Sequence, residues 1–204
     1  VLALNSQVGL NPALTGFKTL WDEGVLAAVE GVGYPQPSYS HFQSMDIWQT
    51  ADPGGRGFEG WVGRYLEGIA GDEVDGFHAL AVDRRMPRAL YTHQVEVPVV
   101  ENVEAYRLQD DPQGTFSQAA RTEALLRLYA RSPDATPFSA LLDNTVRAAT
   151  ASSKAMQAAH AAYSSTITYP DSRLGRSLQT IAEAIVGDLG LRVGHVRIGG
   201  FDTH

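Results

Sequence analysis

The sequence predicts an α/β fold: a largely parallel sheet flanked by helices. Residues 25–32 (Val-Leu-Ala-Ala-Val-Glu-Gly-Val) form a nearly unbroken apolar run, the mark of a strand buried on both faces. Residues 192–198 form a short β-rich segment that ends in Gly199-Gly200. Amphipathic helical patterns lie between these candidate strands, as the covering layers of such a sheet require.

The chain has 204 residues, enough for one domain with a sizeable core or for part of a larger one. No linker, repeat or low-complexity tract divides it, so residues 1–204 read as a single α/β domain. With Val at its start and His204 inside what reads as a site loop, the chain is expected to be a fragment of a larger domain, incomplete at both ends. The net charge of −7 argues against a nucleic-acid partner, which needs clustered Lys and Arg. No apolar run approaches the roughly 18 residues of a membrane span. With no cysteine, any metal must be held by oxygen and imidazole.

From the amino end, Asn11-Pro12 with Leu14, Phe17, Leu20 and Trp21 reads as a short helix with Pro12 in its first turn. The 25–32 strand follows. Pro35 and Pro37 make 33–39 a loop. Residues 41–51 are helical, which puts Ser40 at the N-cap. Asp52–Gly57 is a loop, and a short helix after it turns Trp61, Tyr65 and Leu66 inward. Residues 77–82 and 94–100 read as strands, and about 83–113 as an irregular excursion broken by Pro87, Pro98 and Pro112. Helices are expected over 117–131, over about seven turns from Pro137 to Tyr163, and from Asp171 or Ser172 with Leu174, Leu178, Ile181, Ile185 and Leu189 inward, closed by Gly190.

Two places carry chemistry. Ser40 is fully explained as a cap; read functionally, it is a nucleophile or a metal-bound hydroxyl, because a helix N-terminus favours an alkoxide and an incoming phosphate or sulfate. His41 beside it is a ligand, a proton donor or a polar first-turn residue. Asp202 and His204, after Gly199-Gly200, are either a polar turn or metal ligands. If strands 25–32 and 192–198 share one parallel sheet, Ser40 and Asp202 meet at its carboxyl edge within about 10 Å, where such sheets bind ligands. His78, His93, His160 and His195 lack partners at ligand spacing and read as structural or surface residues.

The blocks Gly-Leu-Asn-Pro-Ala-Leu (9–14), Gly-Val-Leu-Ala-Ala-Val-Glu-Gly-Val-Gly (24–33), Ser-His-Phe-Gln-Ser-Met (40–45), Gly-Trp-Val-Gly-Arg-Tyr-Leu (60–66) and Gly-Gly-Phe-Asp-Thr-His (199–204) occur in this order. Together they resemble the bacterial domain-of-unknown-function 1501 family, which is similar to the alkaline phosphatase and sulfatase superfamily and often exported by the twin-arginine route. The resemblance implies an alkaline-phosphatase-like core and an extracytoplasmic, periplasmic location. It implies Ser40 as a nucleophile that also touches a metal, and Asp202 and His204 as ligands of zinc, manganese, magnesium or calcium. No role is implied for His41 beyond its place beside the serine. The family's Asp-Gly-Gly-Asn-Asp-type, Glu-Phe-Gly-Arg and Asp-His-Gly segments are absent from these 204 residues, so the metal pair is incomplete. The expected function is hydrolysis of small-molecule phosphate or sulfate esters by the full-length protein, with this fragment inactive. The alternative is a non-catalytic binding or scaffold protein of the cell envelope.

Overall fold

The computed structural model describes residues 1–70, 77–108, 111–130 and 136–201. The chain separates into two compact units, Val1–Tyr39 and Ser40–His204.

In the first unit, β1 (Leu2–Ala3) pairs antiparallel with β2 (Gly9–Leu10). The turn between them is tied by Asn5, whose Oδ1 accepts from the backbone N–H groups of Gln7 and Val8, each at 2.8 Å. Helix α1 (Thr15–Asp22) starts three residues after Pro12, which lies in a preceding turn rather than in the helix. Gly24, at φ +72°, ends it: its N–H bonds Trp21 O at 3.0 Å, and Val25 N–H bonds Leu20 O at 3.0 Å. The positive φ is one that glycine takes without penalty.

Residues 25–32 then run without regular structure, with Val25, Val29 and Val32 exposed. The predicted buried strand does not form. An apolar run becomes a strand only where a ladder and a covering face receive it, and neither does so among the described residues.

In the second unit, α2 (His41–Thr50) and α3 (Trp61–Ala70) precede β3 (Ala79–Val82). A 3₁₀ turn (Arg88–Leu90) interrupts the irregular region. Then come α4 (Gln118–Tyr129), α5 (Pro137–Ala162), α6 (Arg173–Val186) and β4 (Val193–Val196). Ser40, Ser117, Thr136 and Ser172 cap α2, α4, α5 and α6, each side-chain oxygen accepting from the backbone N–H three residues on. This satisfies N–H groups that a helix cannot satisfy itself.

Strands β3 and β4 are parallel, with Ala79 opposite Val193 and Val82 opposite Val196. On the far side of β3 the predicted 94–100 strand survives only as a parallel bridge from Val99 to Ala81. Pro98 offers a carbonyl to Ala81 N–H at 3.0 Å but has no N–H of its own to extend the ladder.

The expected large parallel sheet is therefore overturned. Of the described residues 44% are helical and 7% are in strands, and the two sheets among them have two strands each.

The side chains of β3 alternate between two apolar clusters. Ala79 and Ala81 pack with Leu66, Ala70, Leu90, Val95 and Val97. Leu80 and Val82 pack with Val100, Val103, Met156 and Ala184. The inward helix faces match those expected in part: Ile181 and Leu189 pack on the second cluster as expected. Leu66 is buried in α3, but Trp61 and Tyr65 are exposed. In α6 the buried residues are Gly175, Ser177, Glu183 and Ala184, whereas Leu178 and Ile185 are exposed. That helix ends at Val186, with Gly187 as its C-cap rather than Gly190.

Gly63 sits where α3 touches the backbone after the 3₁₀ turn: a Cβ there would meet Tyr91 O at 2.2 Å. Gly68, in the same helix, has nothing within 4 Å of that position. Gly63→Ala should lower the free energy of unfolding by about 1–3 kcal/mol through overpacking, while Gly68→Ala should raise it by about 0.5–1 kcal/mol. Denaturant titration of both variants checks the packing, and a Gly63→Ala protein as stable as wild type would refute it.

Candidate functional site

Ser40 has extended backbone angles (φ −76°, ψ 116°), and its Oγ accepts from Gln43 N–H at 3.4 Å. Its carbonyl accepts from Ser44 N–H at 2.9 Å. Both Ser40 and His41 are exposed, and each makes a further interaction besides these.

Helix α2 is fixed at its far end by Ile47 and Thr50, which are buried. Arg88 pairs with Asp46 at 2.8 Å, and Gln49 Oε1 accepts from Ala89 N–H at 3.2 Å. No acidic residue stands in the first turn of α2, so the positive end of its dipole is not neutralised from within the helix.

Asp202 and His204 lie outside the described residues, and with them the expected meeting of Ser40 and Asp202. The lead into them is visible: β4 ends at Val196, and Gly200 takes φ +90°, a conformation that L side chains avoid. The strand expected to carry Ser40 to the shared edge does not form, and β3 stands beside β4 in its place.

The structure instead opens a cleft of about 620 Å³ beyond the carboxyl end of β3. Asp83, the first residue after β3, is buried; its Oδ1 accepts from Arg84 N–H at 2.7 Å and lies 3.3 Å from Arg173 Nη2. Glu183 of α6, only 2% exposed, is held from two sides. Its Oε2 lies 2.9 Å from Nδ1 of His160 on α5, and its Oε1 accepts from Gln179 Nε2 at 3.0 Å. At the rim Arg84 pairs with Glu101 at 2.5 Å, and that carboxylate raises the pKa of Arg84 above its ordinary value.

Both buried carboxylates are thus paired and hydrogen-bonded, the condition under which a buried charge is tolerated. Reading α6 by its apolar stripe puts Leu178 and Ile185 inside and leaves Glu183 out of account. An acid between Ile181 and Ile185, with a histidine four residues after Met156 on the facing helix, is the only signal that marked this pair in the sequence.

His195 of β4 is half-buried, and its Nδ1 has no hydrogen-bond partner among the described residues; nor does the buried Nε2 of His78. Burial lowers the pKa of His195, opposed by the nearby Asp83 carboxylate and assisted by Arg197. Among the described residues no three His, Asp or Glu side chains are grouped to hold a metal. No described helix is long and apolar enough to cross a membrane. No protein-family model, curated protein or solved structure matches this chain.

The lowered pKa of His195 has a definite sign. The unfolded chain takes up this proton at a higher pH than the folded one, so stability is full above the ordinary histidine range and falls as pH drops through it toward the folded value. The denaturation midpoint should therefore fall between pH 7 and pH 5, and His195→Asn, which carries no titrating ring, should reduce that fall. An equally steep fall in the variant would refute the assignment.

Proposed function

We propose that this protein hydrolyses small-molecule phosphate or sulfate esters with Ser40 as the nucleophile. The observation that supports the reading is the position of the Ser40 hydroxyl at the N-terminus of α2, over a first turn without an acidic residue. There the helix presents roughly half a positive charge to an anion. The order of sequence blocks from residue 9 to residue 204 adds to it.

In the step this implies, Ser40 Oγ attacks the phosphorus or sulfur. A bond to Oγ forms as the ester bond to the leaving oxygen breaks, and the leaving alcohol takes up a proton as the serine hydroxyl gives one up. Water then cleaves the seryl ester, restoring the hydroxyl and releasing phosphate or sulfate.

A divalent metal, when bound, would supply Lewis-acid stabilisation of the charge on the transferred group. The described residues do not compose a metal set, and Asp202 with His204 gives one carboxylate and one imidazole. Catalytic zinc sites typically take three protein ligands, so these residues alone should hold zinc or manganese weakly. The extracytoplasmic location belongs to the same proposal.

A second reading is favoured by the cap itself: Ser40 Oγ accepts from Gln43 N–H, which suits a purely structural serine in a non-catalytic binding or scaffold protein. The variant Ser40→Ala separates the two, using p-nitrophenyl phosphate and p-nitrophenyl sulfate with added zinc or manganese on the longest natural form of the chain. A nucleophile predicts loss of turnover with little change in melting temperature. A cap alone predicts a loss of about 1 kcal/mol of stability and no effect on turnover, and that outcome would overturn the hydrolase reading.

A further inference from the structure

The cleft beyond β3 holds a carboxylate–imidazole pair that the Ser40 chemistry does not use. His160 of α5 and Glu183 of α6 both line it. Glu183 is buried, with Oε1 accepting from Gln179 Nε2 at 3.0 Å and Oε2 standing 2.9 Å from His160 Nδ1. A carboxylate only accepts hydrogen bonds, so Nδ1 carries the proton and Nε2 keeps its lone pair. The bond thereby fixes both the tautomer and the direction of the ring.

A pair that only tied two helices together would need no more than this. What points further is the state of Nε2. No described group bonds it, and it is not sealed off, unlike Nε2 of His78 and Nδ1 of His195. The His160 side chain is 39% exposed on the cleft wall, so a basic nitrogen stands open where a small molecule can enter. When Nε2 takes up a proton, the buried Glu183 charge stabilises the ring, as the acid of a catalytic triad does for its histidine. His93 is the internal contrast: it is exposed, and its Nδ1 faces the uncharged Tyr91 hydroxyl at 3.3 Å.

The charges around the cleft select what can enter. Arg84, Arg173 and Arg176 line it, and each already faces a carboxylate, of Glu101, Asp83 and Asp171 respectively. Glu104, exposed at the cleft, pairs with no cation among the described residues. The unbalanced charge is negative, which disfavours an anion and admits a neutral or cationic molecule.

We propose that this cleft hydrolyses a neutral or cationic carboxylic ester, with His160 as general base and Glu183 as the residue that positions it. Nε2 takes a proton from water as the water oxygen bonds to the carbonyl carbon. The bond from that carbon to the alkoxy oxygen then breaks, and the proton on Nε2 passes to the departing alcohol. Acid and alcohol are released, and the imidazole returns to its starting state.

Two measurements test it. The first is carbethoxylation by diethyl pyrocarbonate, mapped histidine by histidine by mass spectrometry in wild type and Glu183→Gln. Exposure alone predicts that His93 reacts faster than His160, whereas an imidazole activated by Glu183 predicts the reverse order. Glu183→Gln should slow His160 about tenfold, as loss of a hydrogen bond to a charged group implies, and leave His93 unchanged. If wild-type His160 reacts no faster than His93, the proposal is overturned, and that comparison needs no variant to fold.

The second is turnover of p-nitrophenyl acetate, acetylthiocholine and p-nitrophenyl hemisuccinate, which are neutral, cationic and anionic esters. The first two should be hydrolysed above the buffer rate and the third poorly. His160→Gln, at an unchanged melting temperature, should lose about a hundredfold or more, the usual contribution of a general base. Glu183→Gln should lower kcat with little change in KM. No turnover of any probe, or a loss that follows Ser40→Ala instead of His160→Gln, overturns the proposal. Neither result bears on phosphate or sulfate esters, so its failure is distinguishable from failure of the Ser40 reading.

Discussion

The complete burial of β3 is the constraint on which the second unit depends. All four of its residues are buried, and because side chains alternate across a strand, Ala79 and Ala81 must be covered on one face while Leu80 and Val82 are covered on the other. Helix α3 and the 95–97 segment supply the first cover. Helices α5 and α6 supply the second through Met156 and Ala184. The small side chains on the first face admit a close approach, while the larger ones on the second fill the space beneath α5 and α6. Its ladder partner β4 lies more than a hundred residues away in sequence. The entropy of closing that loop is recovered only when both covers are in place, since loop closure must be met before non-local pairing contributes.

The cleft follows from this arrangement. Where β3 stops being apolar, at Asp83, the two covering layers no longer close over it, and the polar ends of α5 and α6 line the gap. Two carboxylates are buried there, and each would be costly without its cation or donor. Glu183 therefore does more than satisfy itself. By accepting from His160 on α5 and from Gln179 on its own helix, it ties α5 to α6 in one register, and it holds the imidazole with Nδ1 engaged and Nε2 turned away from the pair.

What the sequence revealed, and what it hid, divides along the same line. Helix positions were legible because capping and periodicity are local: Ser40, Ser117, Thr136 and Ser172 each start a helix where a side-chain oxygen can reach the N–H three residues on. Residues 77–82 and 192–198 likewise contain β3 and β4. Long-range pairing was not legible. An apolar run at 25–32 has the composition of a buried strand, but nothing in its own residues says whether a neighbour will pair with it, whereas the shorter 79–82 run found covers on both faces. Helix faces were also misjudged where small residues do the packing. Gly175, Ser177 and Ala184 turn inward on α6 beside Ile181 and Leu189, which pack on the core as expected, and a reading weighted toward Leu and Ile misses the small residues and wrongly adds Leu178 and Ile185. Asp202 and His204 lie outside the described residues, so of the candidate site only Ser40 and His41 have a position to compare with expectation.

The cap at Ser40 does not compete with a catalytic role as directly as the two readings suggest. A serine hydroxyl has two lone pairs and one proton, and capping occupies one lone pair through a 3.4 Å contact with Gln43 N–H, long for such a bond. The proton and the other lone pair are not used by that contact. The donor that caps the neutral hydroxyl would also stabilise the oxygen as it gains negative charge, because a hydrogen bond to an ionised acceptor is roughly twice as strong as one to a neutral acceptor. A helix start that holds a serine by its backbone N–H, without an acid in its first turn, therefore favours attack by that serine on an anionic ester more than it favours the resting hydroxyl. That differential, rather than the presence of the cap, is the physical content of the hydrolase reading.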